Sequence, residues 1–118
     1  MTATTPTEVL VYRSENDESP FEDWLDNLDR KTRARLLSRL ARVRAGNFGD
    51  WASITDGDGV AELREHFGPG YRIYFGRERQ RLIILLCGST KSGQKKAIRQ
   101  AVSLWKDWES RNRERESR

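Results

Sequence analysis

The chain is poor in the residues that covalent and metal chemistry need. Among its 118 residues it holds one cysteine, Cys87, and one histidine, His66. A single cysteine excludes an intramolecular disulfide, and one Cys with one His cannot furnish a zinc site or a nucleophile–histidine pair of the familiar kind. Cys87 lies in an apolar run and reads as a small buried hydrophobe. No run approaches a membrane span, and Met1 to Thr7 lacks the apolar segment of a signal peptide, so a soluble cytoplasmic protein is expected. No glycine pattern suits a dinucleotide, because Gly68-Pro69-Gly70 joins two strands rather than a strand and a helix. Asp56-Gly57-Asp58-Gly59 lacks the closing ligands of a calcium loop and reads as a turn. Neither an internal repeat nor a second domain is visible.

What is present is charge together with enough apolar material for one modest core. Charged residues make up 34% of the chain and hydrophobic ones 36%, with four tryptophans and a formal net charge of +4. A basic balance of this kind suits an anionic partner, most commonly nucleic acid. Acid is missing altogether from residues 30 to 44, where seven residues are basic: Arg30, Lys31, Arg33, Arg35, Arg39, Arg42 and Arg44. A solvated helix face normally mixes signs, so this segment is expected to contact nucleic acid, although an acidic protein would fit as well.

The periodicities give the elements. Val9 to Tyr12 reads as a strand. Ser19-Pro20-Phe21-Glu22 is a helix start with a cap, a proline at the first helical position and the glutamate of a capping box. Phe21, Trp24, Leu25 and Leu28 then form one apolar stripe. Asp29 caps a second helix from Arg30 to about Ala45, with the stripe Leu36, Leu37, Leu40, Val43 and a stop at Gly46. The short break predicts a helical hairpin. Asn47 to Gly59 reads as a loop. Val60 to Gly76 reads as a β-hairpin, and Leu82 to Leu86 as a strand buried on both faces. A last helix is expected from about Ser92 to Ser110, with Ile98, Ala101, Val102, Trp105 and Trp108 inward. Residues 1–7 and 111–118 are expected to be loose ends. The result is a single α+β domain over residues 1–118: strand, helical hairpin, three antiparallel strands and a C-terminal helix. The economical arrangement packs all helices on one face of a curled sheet.

The hairpin carries the most chemistry. Alternation puts Leu63, Phe67, Tyr71, Ile73 and Phe75 on one side and Arg64, His66, Arg72 and Tyr74 on the other. A three-residue loop, Gly68 to Gly70, would set His66 opposite Arg72 and Arg64 opposite Tyr74. RNA can be cut without a metal by attack of its own 2′-OH on the adjacent phosphate. Such a reaction needs a proton acceptor, charge stabilisation at phosphorus and a proton donor for the leaving oxygen. Arg64 and Arg72 suit the phosphate, and His66 and Tyr74 suit proton handling. Arg and Tyr are also ordinary occupants of the wet face of an antiparallel sheet, so the pattern alone reads slightly more readily as a plain solvated face. Lys91, Lys95 and Lys96 cluster where the last helix begins. They make either an anion site or a simple solvated helix end.

Four blocks together resemble the RelE/ParE toxin superfamily, and within it the HigB-like phage-derived addiction-module killer proteins. They are Tyr12-Arg13-Ser14 with Ser19 to Leu25; Arg39 to Asn47-Phe48-Gly49-Asp50; Gly57 to Arg64 with Gly70 to Phe75; and Leu85 to Gly88 with Lys91 to Lys96. The resemblance spans about Tyr12 to Trp108. It implies a RelE-like fold and the toxin of a type II toxin–antitoxin pair, a metal-independent, cofactor-free endonuclease that cleaves mRNA on the ribosome. It also implies an antitoxin with a helix-turn-helix domain, through which the complex reaches operator DNA. Arg64 and Arg72 match recurrent arginines of that subgroup, and Lys91 and Gln94 match its Lys-Ser-x-Gln block. The expected catalytic set is Arg64, His66, Arg72, Tyr74 and Lys91, with Arg33, Arg35, Arg39, Arg42, Lys95 and Lys96 on nucleic acid. The shared fold leaves two alternatives: a ParE-like inhibitor of DNA gyrase without nuclease activity, and a non-toxic binding protein on the same scaffold.

Overall fold

The computed structural model describes residues 5–116. The elements run β1 (Glu8–Val11), α1 (Pro20–Asp26), α2 (Arg30–Arg44), β2 (Trp51–Ser53), β3 (Val60–Glu65), β4 (Tyr71–Arg79), β5 (Leu82–Thr90), a 3-10 turn (Lys91–Gly93) and α3 (Gln94–Glu116). The five strands form one mixed sheet in the order β1-β5-β4-β3-β2, with β1 parallel to β5 and the remaining pairs antiparallel.

Local chemistry sets the helix starts. The Ser19 hydroxyl accepts the Glu22 N–H at 3.1 Å, and an Asp29 carboxylate oxygen accepts the Thr32 N–H at 2.7 Å. Each bond satisfies an amide that the first helical turn leaves without a partner. The Glu22 carboxylate does not complete a capping box; it pairs with Arg13 at 2.7 Å.

The helices do not share one face, which corrects the one-face arrangement. Phe21 and Leu25 of α1, with Leu36, Leu40 and Val43 of α2, pack on Ala61, Leu63, Ile73, Phe75, Ile83 and Leu85. Ala97, Ala101 and Trp105 of α3 pack on the opposite side, against Tyr12, Val60, Tyr74, Ile84, Leu86 and Cys87. The sheet is therefore the middle of three layers. Its alternating apolar residues need cover on both sides. Two glycines admit the large rings. A β-carbon at Gly76 would collide with Trp105 from α3, and one at Gly88 would collide with Trp24 from α1.

Further corrections follow from the same geometry. Residues 47–59 are not all loop, because Trp51–Ser53 adds a short edge strand to β3. Leu37 is 46% exposed, since α2 turns Arg39 inward in its place. Thr7 is buried and its N–H donates to the Arg44 carbonyl at 2.9 Å, so that end of the leader is held; residues 1–4 lie outside the described residues. The last helix continues past Ser110 to Glu116. There Arg111 bonds Asp107 and donates to the Arg13 carbonyl, extending α3; residues 117–118 lie outside the described residues.

Candidate functional site

The β3–β4 pairing differs from the expected register by two residues. Arg64 lies opposite Arg72, Glu62 opposite Tyr74 and Glu65 opposite Tyr71. A two-residue shift preserves the face of every side chain. The connecting loop is therefore 66–70 rather than 68–70, closed by a hydrogen bond from the Gly70 N–H to the Phe67 carbonyl. His66 sits in that loop, beyond the paired strand, and not across from Arg72.

On the α3 side of the sheet the rows read Glu62–Tyr74–Cys87 and Arg64–Arg72–Ser89 across β3, β4 and β5. The irregularity between Tyr74 and Phe75 accounts for the alignment. Leu86 is the extra residue there, so Leu86 and Cys87 both face α3 and Ser89 then falls beside Arg72.

Within these rows the charges alternate. The Glu62 carboxylate lies between two guanidiniums, with Oε2 3.4 Å from Arg72 Nε and Oε1 3.3 Å from Arg64 Nη2. Arg64 Nη1 lies 3.9 Å from Asp50 Oδ1, and Asp50 Oδ2 meets His66 Nε2 at 2.6 Å. The chain Arg72–Glu62–Arg64–Asp50–His66 thus runs from a buried end to an open one. Arg72 is 6% exposed, whereas the His66 side chain is 69% exposed. The His66 contact holds the Asp50 carboxyl below the usual carboxylate range.

The remaining expected residues divide into three groups. Tyr74 is fully buried, its hydroxyl 3.1 Å from Ser89 Oγ, and burial pushes its ionisation upward. It lies under α3 among Val60, Ile84 and Ala101, so it cannot stack on a base; this corrects its placement at the surface. Lys91, Lys95 and Lys96 are exposed, and the Lys91 N–H donates to the Gly70 carbonyl at 3.0 Å, next to the 66–70 loop. Arg35, Arg39 and Arg42 form one stripe of α2, of which Arg35 meets the 66–70 loop while Arg39 and Arg42 meet Glu65 at the end of β3. Arg35 stacks over the Phe67 ring at 3.7 Å, and Arg42 lies 3.9 Å from Glu65. Arg33 sits apart and donates to the Asp26 carbonyl at 3.4 Å.

Arg39 leaves the expected nucleic-acid set. It is 5% exposed and all five of its N–H groups are used inside the protein. Nε and Nη2 donate to the Phe48 carbonyl, Nη2 also to Asp50 O, and Nη1 to Arg64 O and Glu65 Oε1. Arg39 therefore joins α2, the segment before β2 and the end of β3. In doing so it fixes the backbone that carries Asp50 and Arg64.

Glu62, Asp50 and Ser89 were not among the residues expected from sequence. Glu62 had a signal: two positions before Arg64 in one strand, it must share that face. Asp50 and Ser89 had none, because they come from other strands or from a turn. Among the described residues, no group of three or more His, Cys, Asp or Glu side chains is placed to hold a metal ion, and no helix is long and apolar enough to cross a membrane.

Residues 23–106 match the family model described as Phage derived protein Gp49-like (DUF891), so the match runs from within α1 to the middle of α3. The chain is also 44% identical over 85 residues to an uncharacterized protein of Haemophilus influenzae. That alignment covers 71% of this chain and 84% of the relative.

Proposed function

We propose, from the premise that the chain belongs to the Gp49-like phage-derived family, a RelE/HigB-like toxin family, that it cleaves mRNA on the ribosome as the toxin of a type II toxin–antitoxin pair. Membership of a toxin family implies an antitoxin as partner; mRNA and the ribosome are the partners of this reading, and the HigB-like assignment belongs to it as well. The observation that carries it is the pairing of Arg64 with Arg72 on one sheet face, at the end of the sheet where His66 and Lys91 also lie.

In this reading the RNA 2′-oxygen attacks phosphorus as the bond to the 5′-oxygen breaks, leaving a 2′,3′-cyclic phosphate and a 5′-hydroxyl. Arg64 and Arg72 stabilise the charge that grows on the phosphoryl oxygens. With Nε2–H donated to Asp50, the His66 ring presents Nδ1 as a lone pair able to accept the 2′-OH proton. Lys91 supplies the proton to the departing oxygen. Tyr74 stays beneath the site, where its hydroxyl orders Ser89 beside Arg72. Arg33, Arg35, Arg42, Lys95 and Lys96 hold the RNA backbone.

The test is expression without a partner, followed by mapping of mRNA 5′ ends. New ends inside translated codons are expected, and they should disappear in R64A, a change at a half-exposed position that leaves the core intact. Intact mRNA accompanied by DNA damage would instead favour a gyrase inhibitor.

A further inference from the structure

We infer that Glu62 is a built-in competitor for the phosphate: it occupies the two-arginine site in the free protein and must give way when an RNA phosphate enters. The inference rests on the phosphate-clamp reading of Arg64 and Arg72 given above, and adds how that clamp is restrained.

Three observations lead to it. The Glu62 carboxylate bridges the two guanidiniums, one oxygen to each, as a phosphate would. Glu62 Oε2 and Arg72 Nε are both buried and face each other at 3.4 Å, yet neither makes a hydrogen bond within the protein. Arg72 is 6% and Glu62 9% exposed, so water gives little compensation for that missed bond. The pair is thus close enough for attraction and too poorly aligned to satisfy its own atoms. A phosphate, with more acceptor oxygens and more charge, can satisfy both guanidiniums in bidentate fashion. Arg64 is the entry point, because its side chain is 37% exposed and its contacts to Glu62 and Asp50 lie between 3.3 and 3.9 Å.

The carboxylate has two opposing effects. It neutralises one of two adjacent like charges, which keeps Arg72 stable beside Arg64. It also repels an incoming phosphate and competes for the same donors, so stray anions bind weakly. Glu62 is therefore a positioning residue that sets affinity, not a group that touches the reacting atoms.

The probe is a short 2′-O-methylated ribonucleotide, which can bind but cannot be cut, titrated against the full-length protein by fluorescence anisotropy. E62Q, which keeps the volume and removes the charge, should bind it about tenfold tighter than the unaltered protein, while R64A should bind it more weakly. Unchanged or weaker binding by E62Q, alongside weakened binding by R64A, overturns the competitor role and leaves the clamp standing. Unchanged binding by both variants overturns the clamp and the competitor with it. If E62Q does not fold, the Arg72 Nε–H resonance of the unaltered protein decides: it should shift as the probe is added, and an unmoved resonance at saturation overturns the inference.

Discussion

Replacing Arg39 tests whether that arginine holds the fold together or serves the proposed RNA contact. The Arg39 guanidinium holds three backbone carbonyls, those of Phe48, Asp50 and Arg64, together with the Glu65 carboxylate, most at 2.7 Å. Arg39→Ala would leave the Glu65 side chain, itself 19% exposed, without its closest partner and would remove the side-chain donor of the Phe48 and Arg64 carbonyls, while the Asp50 carbonyl keeps the Arg64 N–H at 2.9 Å. Breaking a largely buried pair by removing one member costs about 3–5 kcal/mol. For a chain of this size that lowers Tm by roughly 12–20 °C. Arg39→Lys keeps the charge but loses the five-donor fork, and should recover about half of the loss at most. Urea or thermal unfolding followed by tryptophan fluorescence reads both variants. Exposed neighbours give the control, since R33A and R42A should stay within about 0.5 kcal/mol of the unaltered protein. An R39A protein of undiminished stability that has lost RNA binding would refute the reasoning and return Arg39 to the interface.

Gly76→Ala and Gly88→Ala should each destabilise by about 1–3 kcal/mol or more, because the added methyl meets the Trp105 or Trp24 ring; full stability in either would show that the layers can separate freely. Burial pushes the Cys87 thiol up to about 12, so a thiol reagent at pH 8 should label it only in denaturant; rapid labelling of the native protein would contradict the packing under α3. Tyr12 and Asp107 predict two pH limbs. Burial and the Asp107 contact raise the Tyr12 pKa above 10.0, so its stabilisation is full below that value and is lost as pH rises through the folded one. The bond from Tyr12 lowers the Asp107 pKa below 3.8, so its stabilisation is full above that value and is lost as pH falls through the folded one. Y12F should flatten the alkaline limb and D107N the acid limb, as read by urea midpoints; unchanged profiles would remove this pair as an anchor of α3.

The fold was legible wherever a local rule governs it. Caps at Ser19 and Asp29, the stripes of α1 and α3, and the alternation along β3 and β4 follow from side-chain geometry within one element. The layer count was legible too, in Leu82 to Leu86, since a strand apolar on both faces needs cover on both sides. An arrangement with all helices on one face conflicts with that run, and in the structure the run prevails. The parallel pairing of β1 with β5 and the short β2 edge depend on where distant segments meet, which periodicity within a segment does not encode.

The candidate site shows the same division between face and neighbour. Alternation fixes which side of the sheet Arg64 and Arg72 occupy, and any even slip preserves it. It does not fix who stands opposite whom. That depends on the loop, and a five-residue loop at 66–70 in place of a three-residue one exchanges His66 for Arg64 as the partner of Arg72. The exchange changes the chemistry. Two guanidiniums side by side require a counter-charge, and the residue two positions back on the same face, Glu62, supplies it. His66, moved out into the loop, requires its own partner and finds Asp50. Arg39 misled for a related reason. A run of basic residues without acid reads as an outward positive stripe, yet one position of that stripe points inward, and only the carbonyls gathered around it from two other segments reveal it. Composition can identify a basic helix, whereas the number of acceptors waiting beneath it decides which of its arginines remain at its surface.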